Sequence, residues 1–215
     1  MNTAEDVRHM SADIKMNALR VLCIQLGFLI FSIKGTDGVP GCSDTIEAIC
    51  HLRPSGSDST VSGTVEFHQG GTCYHGQIHP LVRVQGEITG LTPSVGGYRK
   101  HGFHVHTYGN LSERCQATGP HYNPLGTVHG RPADTQNRRH VGDLGNVLAD
   151  QDGNVNIDFI APRPVSLIGD LSIIGRAIVL HAGEDDLGRG GNAGSVASGN
   201  AGARIACCII ERVHK

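Results

Sequence analysis

Between His101 and Asp143 the chain gathers His104, His106, His121, His129, His140 and Asp143, separated by turns rich in glycine and proline. His104 and His106 form an H-x-H pair inside HGFHVH. Residues i and i+2 of a strand project to one face, so a strand here brings the two imidazoles together and turns Phe103 and Val105 towards a core. Imidazole nitrogens ligate zinc and copper, and a carboxylate is a common further zinc ligand. A single histidine reads as a core or surface-loop residue. Several potential ligands between turns read as a metal centre. The HExxH pattern of a zinc hydrolase is absent from the sequence, so metal-assisted hydrolysis fits poorly.

From these residues onward the chain resembles the copper/zinc superoxide dismutases. The motifs HGFHVH, GPHYNPL, RHVGDLGNV, LHAGEDDLGRGGN and GNAGARIAC follow in the family's order from His101 to about Cys207, and a weaker likeness begins near Ile46. The resemblance implies dismutation of superoxide to oxygen and hydrogen peroxide, with copper and zinc ions as cofactors. It implies copper on His104, His106, His121 and His181, and zinc on His121, His129, His140 and Asp143. His121 then bridges the two metals as an imidazolate. Asp185 is implied as an acceptor from His104 and His129, holding their tautomers. Arg204 is implied to attract and orient the anion, so Arg204 and His121 are the candidate catalytic residues. The loop between His129 and His140 runs slightly longer than the family pattern. A non-catalytic copper/zinc-binding module of the same fold is the alternative, but no implied ligand is missing.

The resemblance also implies a disulfide between Cys115 and Cys207. Cys42, Cys50, Cys73 and Cys208 have no assigned partner, and Cys50 and Cys208 are expected to be buried free thiols. Residues Ala193 to Ser198, AGSVAS, lack the charges that family members often carry there. Arg138 and Arg139 beside His140, with Arg189, are expected to restore part of the steering field. Glu211 and Arg212 fall where small or apolar dimer contacts are expected, and the sequon Asn110-Leu111-Ser112 offers a glycosylation site near the same patch. A homodimer with an altered interface is therefore expected. Superoxide is the expected substrate, and a copper-delivery protein a possible partner.

The elements that must position these residues read as strands. The chain has 215 residues, 30 glycines and no tryptophan, with little helical periodicity, which points to an all-β protein with many turns. Val61, Gly63, Val65 and Phe67 alternate onto one face, as do Val82, Val84, Gly86 and Ile88. AICHLRP, HGFHVH, NVLAD, NVNIDFI, SIIGRAIVLH and ARIACCII supply further strands, and Gln151-Asp152-Gly153 a hairpin turn. The expected fold is an eight-stranded antiparallel Greek-key β-barrel or sandwich with long metal-binding and electrostatic loops. The segment from Gly183 to Gly202 is expected to be an irregular glycine-rich loop. A net charge of −2, with no basic stripe, excludes a nucleic-acid surface.

Residues 1–35 hold basic positions followed by an apolar run, Ala18 to Ile33, and read as a signal peptide or N-terminal hydrophobic extension. The run is short for a membrane span and is interrupted by Arg20 and Gln25. Residues 36–45 read as a linker and 46–215 as the folded domain, so the protein is expected to be secreted.

Overall fold

The computed structural model describes residues 45–57, 59–74, 77–94 and 97–214. The expected signal segment and Cys42 lie outside them. Among the described residues there are nine strands: β1 (Ile46–Pro54), β2 (Ser62–Tyr74), β3 (Gln77–Thr89), β4 (Arg99–His106), β5 (Asp143–Ala149), β6 (Val155–Ile160), β7 (Ala177–His181), β8 (Arg204–Ile209) and the two-residue β9 (Glu211–Arg212). Every pairing is antiparallel, in the order β2-β3-β6-β5-β4-β7-β8-β1-β9. Strand β1 pairs with β2 on one edge and with β8 on the other, so eight strands close into a barrel without open sheet edges.

Alternation fills the interior. Val61, Val65, Phe67, Val82, Val84 and Ile88 are buried on the expected faces, and Phe103 and Val105 join them. The β5–β6 hairpin turns at Gly153, where Asp150 Oδ1 accepts from Asp152 N and Asn154 N at 3.0 and 2.8 Å.

Two secondary-structure elements depart from the sequence reading. Strand β7 begins only at Ala177, because Ser172 to Gly175 turn instead: Ser172 N donates to Gly169 O, and Arg176 N to Ile173 O. The glycine-rich segment contains a short helix, α1 (Ala193–Ser198). Asn192 caps it by accepting from Ser195 N at 2.9 Å, and left-handed Gly199 ends it.

The expected free thiols Cys50 and Cys208 are instead joined in a disulfide, with both residues about 1% exposed. They stand 158 residues apart, on β1 and β8, which neighbour each other where the barrel closes. Only that closure brings them together. Backbone pairing at this seam is sparse: Arg53 with Cys207 and Pro54 with Ala206 on β8, then Ala48 with Arg212 and Ile49 with Glu211 on β9. The bridge falls between the two paired stretches.

Candidate metal centre

Strand β4 has two buried faces. Phe103 and Val105 point into the barrel, while His104 and His106 point outward yet are 0% and 1% exposed. The two long connections, between β4 and β5 and between β7 and β8, fold over that outer face. Three segments are stitched together there: Tyr122 N donates to Val105 O, Val105 N to Gly142 O, and Gly142 N to Tyr122 O. His106 and His121 form an isolated backbone bridge. A register shift between Gly102 and His104 interrupts the β4–β5 pairing, while Phe103 to His106 pair with β7 on the other edge.

Two donor sets result. His104, His106, His121 and His181 form one; His121, His129, His140 and Asp143 form the other. Within each, the ligand atoms lie within 4.8 Å of one another, and all seven residues are buried. His106 Nδ1 donates to Gly119 O at 2.7 Å and His181 Nδ1 to Gly202 O at 3.1 Å. Those bonds fix the tautomers and leave Nε2 of each ring with its lone pair, 3.4 Å apart. His104 Nδ1 and His121 Nε2 are buried without hydrogen-bond partners.

In the second set, Asp143 Oδ1 lies 2.9 Å from His121 Nδ1, 3.0 Å from His129 Nδ1 and 3.1 Å from His140 Nδ1. One carboxylate oxygen cannot use three ring donors well. Four corners of a tetrahedron around an ion at about 2 Å are about 3.3 Å apart, so the set matches a zinc cage better than a hydrogen-bond cluster.

The two sets are braced by Asp185, which is fully buried. Its Oδ2 accepts from His104 Nε2 at 2.9 Å and its Oδ1 from His129 Nε2 at 2.7 Å. Asn146 holds Asp185 in turn: Asn146 Nδ2 donates to Asp185 O at 2.9 Å, and Asp185 N to Asn146 Oδ1 at 2.8 Å. Asn146 escapes the sequence reading, although it lies within RHVGDLGNV, three positions after Asp143. His101 also enters the scaffold, with Nδ1 2.9 Å from His181 O.

The electrostatics follow the same division. Burial, reinforced by neighbouring His121, pushes His104 down to about 3. Burial likewise lowers His181 to about 4, and lowers His106 and His121. These rings stay neutral and keep lone pairs for a cation. His129 goes the other way: burial opposes its charge, but hydrogen bonds to Asp143 and Asp185 outweigh that and raise it to about 9. Burial would raise Asp143 and Asp185, yet their imidazole partners hold both well below the usual carboxylate range. The side-chain ion pairs of these two buried carboxylates, among the described residues, are all with imidazoles. Bound metal ions would supply further positive charge beside these carboxylates.

Arg204 lies at the rim. Its Nη1 donates to Cys115 O, Gln116 O and Thr118 Oγ1 at 2.8, 3.1 and 2.7 Å, and its Nη2 to Gly119 O at 2.8 Å. Gly119 O is also the acceptor for His106 Nδ1, so one carbonyl fixes both the guanidinium and the ring. A disulfide joins Cys115 to Cys207, tying this loop to β8 three residues past Arg204.

Arg139 does not steer anions. It is 0% exposed and donates to the carbonyl oxygens of His140, Asp143 and Arg163, so it is a buried brace under the second set. Only Arg138 and Arg189 of the expected trio are exposed.

The family model for copper/zinc superoxide dismutase matches residues 61–210. The chain is 46% identical over 153 residues to superoxide dismutase [Cu-Zn] 2 of Mesembryanthemum crystallinum, covering 71% of this chain and 88% of the relative. It is 42% identical over 165 residues to superoxide dismutase [Cu-Zn] of Cordyceps militaris, covering 77% and 97%. The chain belongs to the copper/zinc superoxide dismutase family. It is accordingly an oxidoreductase that dismutates superoxide, with copper and zinc as its cofactors. The uncharged α1 is a local variation within that family's fold: His129 N donates to Val196 O at 2.9 Å, so the helix still clamps the second donor set.

Proposed function

We propose that His104, His106, His121 and His181 hold the copper and that His121, His129, His140 and Asp143 hold the zinc of the superoxide dismutase. The division of His121 carries this reading: its Nε2 has no partner on the four-histidine side, and its Nδ1 lies 2.9 Å from Asp143 Oδ1 on the other. A ring that serves both sets gives up both ring protons, which two adjacent cations permit.

Copper, when bound, supplies a reversible one-electron couple, and zinc a fixed positive charge that orients and tunes His121. Arg204 draws superoxide to the rim and aligns it, because its guanidinium is held rigid by four hydrogen bonds. His121 takes up a proton on Nε2 while Nδ1 stays with the Asp143 set, and passes it to the oxygen being reduced. Asp185 keeps the His104 and His129 rings from turning. Over a cycle, two superoxide anions and two protons give one dioxygen and one hydrogen peroxide. The test is reconstitution of residues 36–215 with both metals, for wild type and His121→Ala. Wild type should hold about one copper and one zinc per chain, by the two donor sets, and consume superoxide. An unchanged metal ratio and rate in the variant would refute the bridging role.

We further propose that the protein is secreted, with residues 1–35 as its leader, 36–45 a linker and 46–215 the mature domain. The apolar run, the two disulfides among the described residues and the exposed sequon support this. Asn110 is exposed and its Oδ1 accepts from Ser112 Oγ at 2.8 Å, leaving the amide nitrogen open to a glycan. An intact Met1 on a cytosolic protein, by N-terminal sequencing, would overturn it. A homodimer with an altered interface fits exposed Glu211 and Arg212 on β9, and a copper-delivery protein is the partner for loading. Sedimentation with and without the glycan tests the assembly: a tight dimer in both forms overturns the altered interface.

A further inference from the structure

A second cationic feature lies on the outer side of the zinc set. The chain after His129 and the chain after Asp185 border a cleft of about 220 Å³, whose lining includes Arg131, Asp134, Arg138 and Arg189. Arg131 and Asp134 answer each other: Arg131 N, Nε and Nη2 donate to the Asp134 carboxylate at 2.9, 3.0 and 2.6 Å. Arg138 and Arg189 are exposed, and neither guanidinium has a hydrogen bond or ion pair among the described residues. Three arginines against one aspartate give the cleft a formal charge of +2 before His129 is counted. Val128 and Val196 form part of the wall. A concave cationic lining with apolar edges focuses its field on a small anion.

We propose that this cleft binds a doubly charged tetrahedral oxyanion of the phosphate class. Arg138 and Arg189 both line the cleft, and guanidinium forks donate charge-assisted hydrogen bonds to the oxygens of a phosphate dianion. Superoxide is a different occupant, small and singly charged. The bound dianion links residues 131–138 to residues 186–189, both of which contribute to the cleft lining. It thereby damps the local opening of both. The two guanidinium groups proposed to hold the dianion, Arg138 and Arg189, lie outside both donor sets.

The metal-loaded protein, in phosphate-free buffer, is titrated calorimetrically with inorganic phosphate, and in parallel mixed with vesicles containing phosphatidic acid. Arg204→Gln removes the half-buried anion-attracting arginine at the rim of the metal centre and should retain binding. Arg138→Gln with Arg189→Gln, both on exposed side chains, should weaken it by roughly tenfold or more, as two charge-assisted bonds are lost. Amide exchange at 131–138 and 186–189 should slow on adding phosphate to wild type and stay unchanged in the double variant. Binding to inorganic phosphate supports a free ion; binding to vesicles alone, lost in the double variant, supports a lipid phosphate in the same cleft. Equal binding by wild type and double variant, or binding to neither probe, overturns the site. Superoxide consumption is not read in this experiment, so its failure leaves dismutation untouched, and the reverse holds.

Discussion

Single residues here act mainly by fixing rings. Asp185 spans His104 and His129 with bonds of 2.9 and 2.7 Å, so it sets the orientation of one ring in each donor set. Asp185→Asn keeps the size but loses one acceptor and the charge. Zinc affinity should fall roughly 10- to 100-fold, as for other supports of ligating histidines, measured by competition with a chelator. Retention of wild-type zinc affinity would remove Asp185 from its positioning role. The buried imidazoles also make acid sensitivity predictable in the metal-free protein. His104 and His181 titrate at about 3 and about 4, below the ordinary 6.5. As pH falls below 6.5 the unfolded chain takes up protons that the folded chain refuses, so folding stability drops until the folded rings titrate. His129, raised to about 9, acts oppositely: its contribution is full below 6.5 and is lost as pH rises through about 9. The urea midpoint of metal-free protein should therefore decline from pH 6.5 to 4, and His181→Gln should flatten that decline. A midpoint that holds steady over this range contradicts the assignment.

At the scale of elements, the segment around α1 shows how a loop and a ligand set constrain each other. Gly199 ends the helix with φ +72°, and a Cβ there would stand 1.8 Å from Asp185 Oδ1 and 2.6 Å from His129 Nε2. The close approach and the left-handed backbone both demand glycine. Gly199→Ala should displace the Asp185–His129 contact and lower zinc retention as Asp185→Asn does, although it alters no donor atom. Metal analysis after dialysis against chelator checks this, and full zinc retention would mean that the loop yields. Arg139 illustrates a second element-scale effect. Its neighbours in sequence, Arg138 and His140, face solvent and the second donor set, whereas its own side chain turns inward to three carbonyl groups.

At the scale of the whole molecule, two bridges leave successive residues of β8 in opposite directions. Cys207 reaches outward to the loop at Cys115, and Cys208 reaches inward to Cys50. The inner bridge closes a loop spanning most of the domain, at a seam where backbone pairing is sparse. Constraining so long a loop in the unfolded chain should stabilise the fold by about 2–4 kcal/mol. Replacing Cys50 and Cys208 together by alanine should lower the denaturant midpoint accordingly while leaving the outer bridge and Arg204 in place. No shift in the midpoint would mean that the inner bridge contributes little beyond packing.

Much of this protein is local in origin, and that part was legible in the sequence. Period-two alternation around Val65, Val84 and Phe103 specifies which faces are buried, because successive side chains of a strand must point opposite ways. The H-x-H spacing places His104 and His106 on one face for the same reason. The order of the motifs carries the likeness to the family, and with it copper, zinc and superoxide. What depends on distant segments was decided only by the tertiary structure. The Cys50–Cys208 bond exists because β1 meets β8 at the barrel seam, and burial of Arg139 follows from the carbonyls that surround it. The Asn146–Asp185 brace joins β5 to the loop after β7. Each requires a partner whose position along the chain says nothing of its distance in space, so closure of the barrel, rather than any local pattern, determines it.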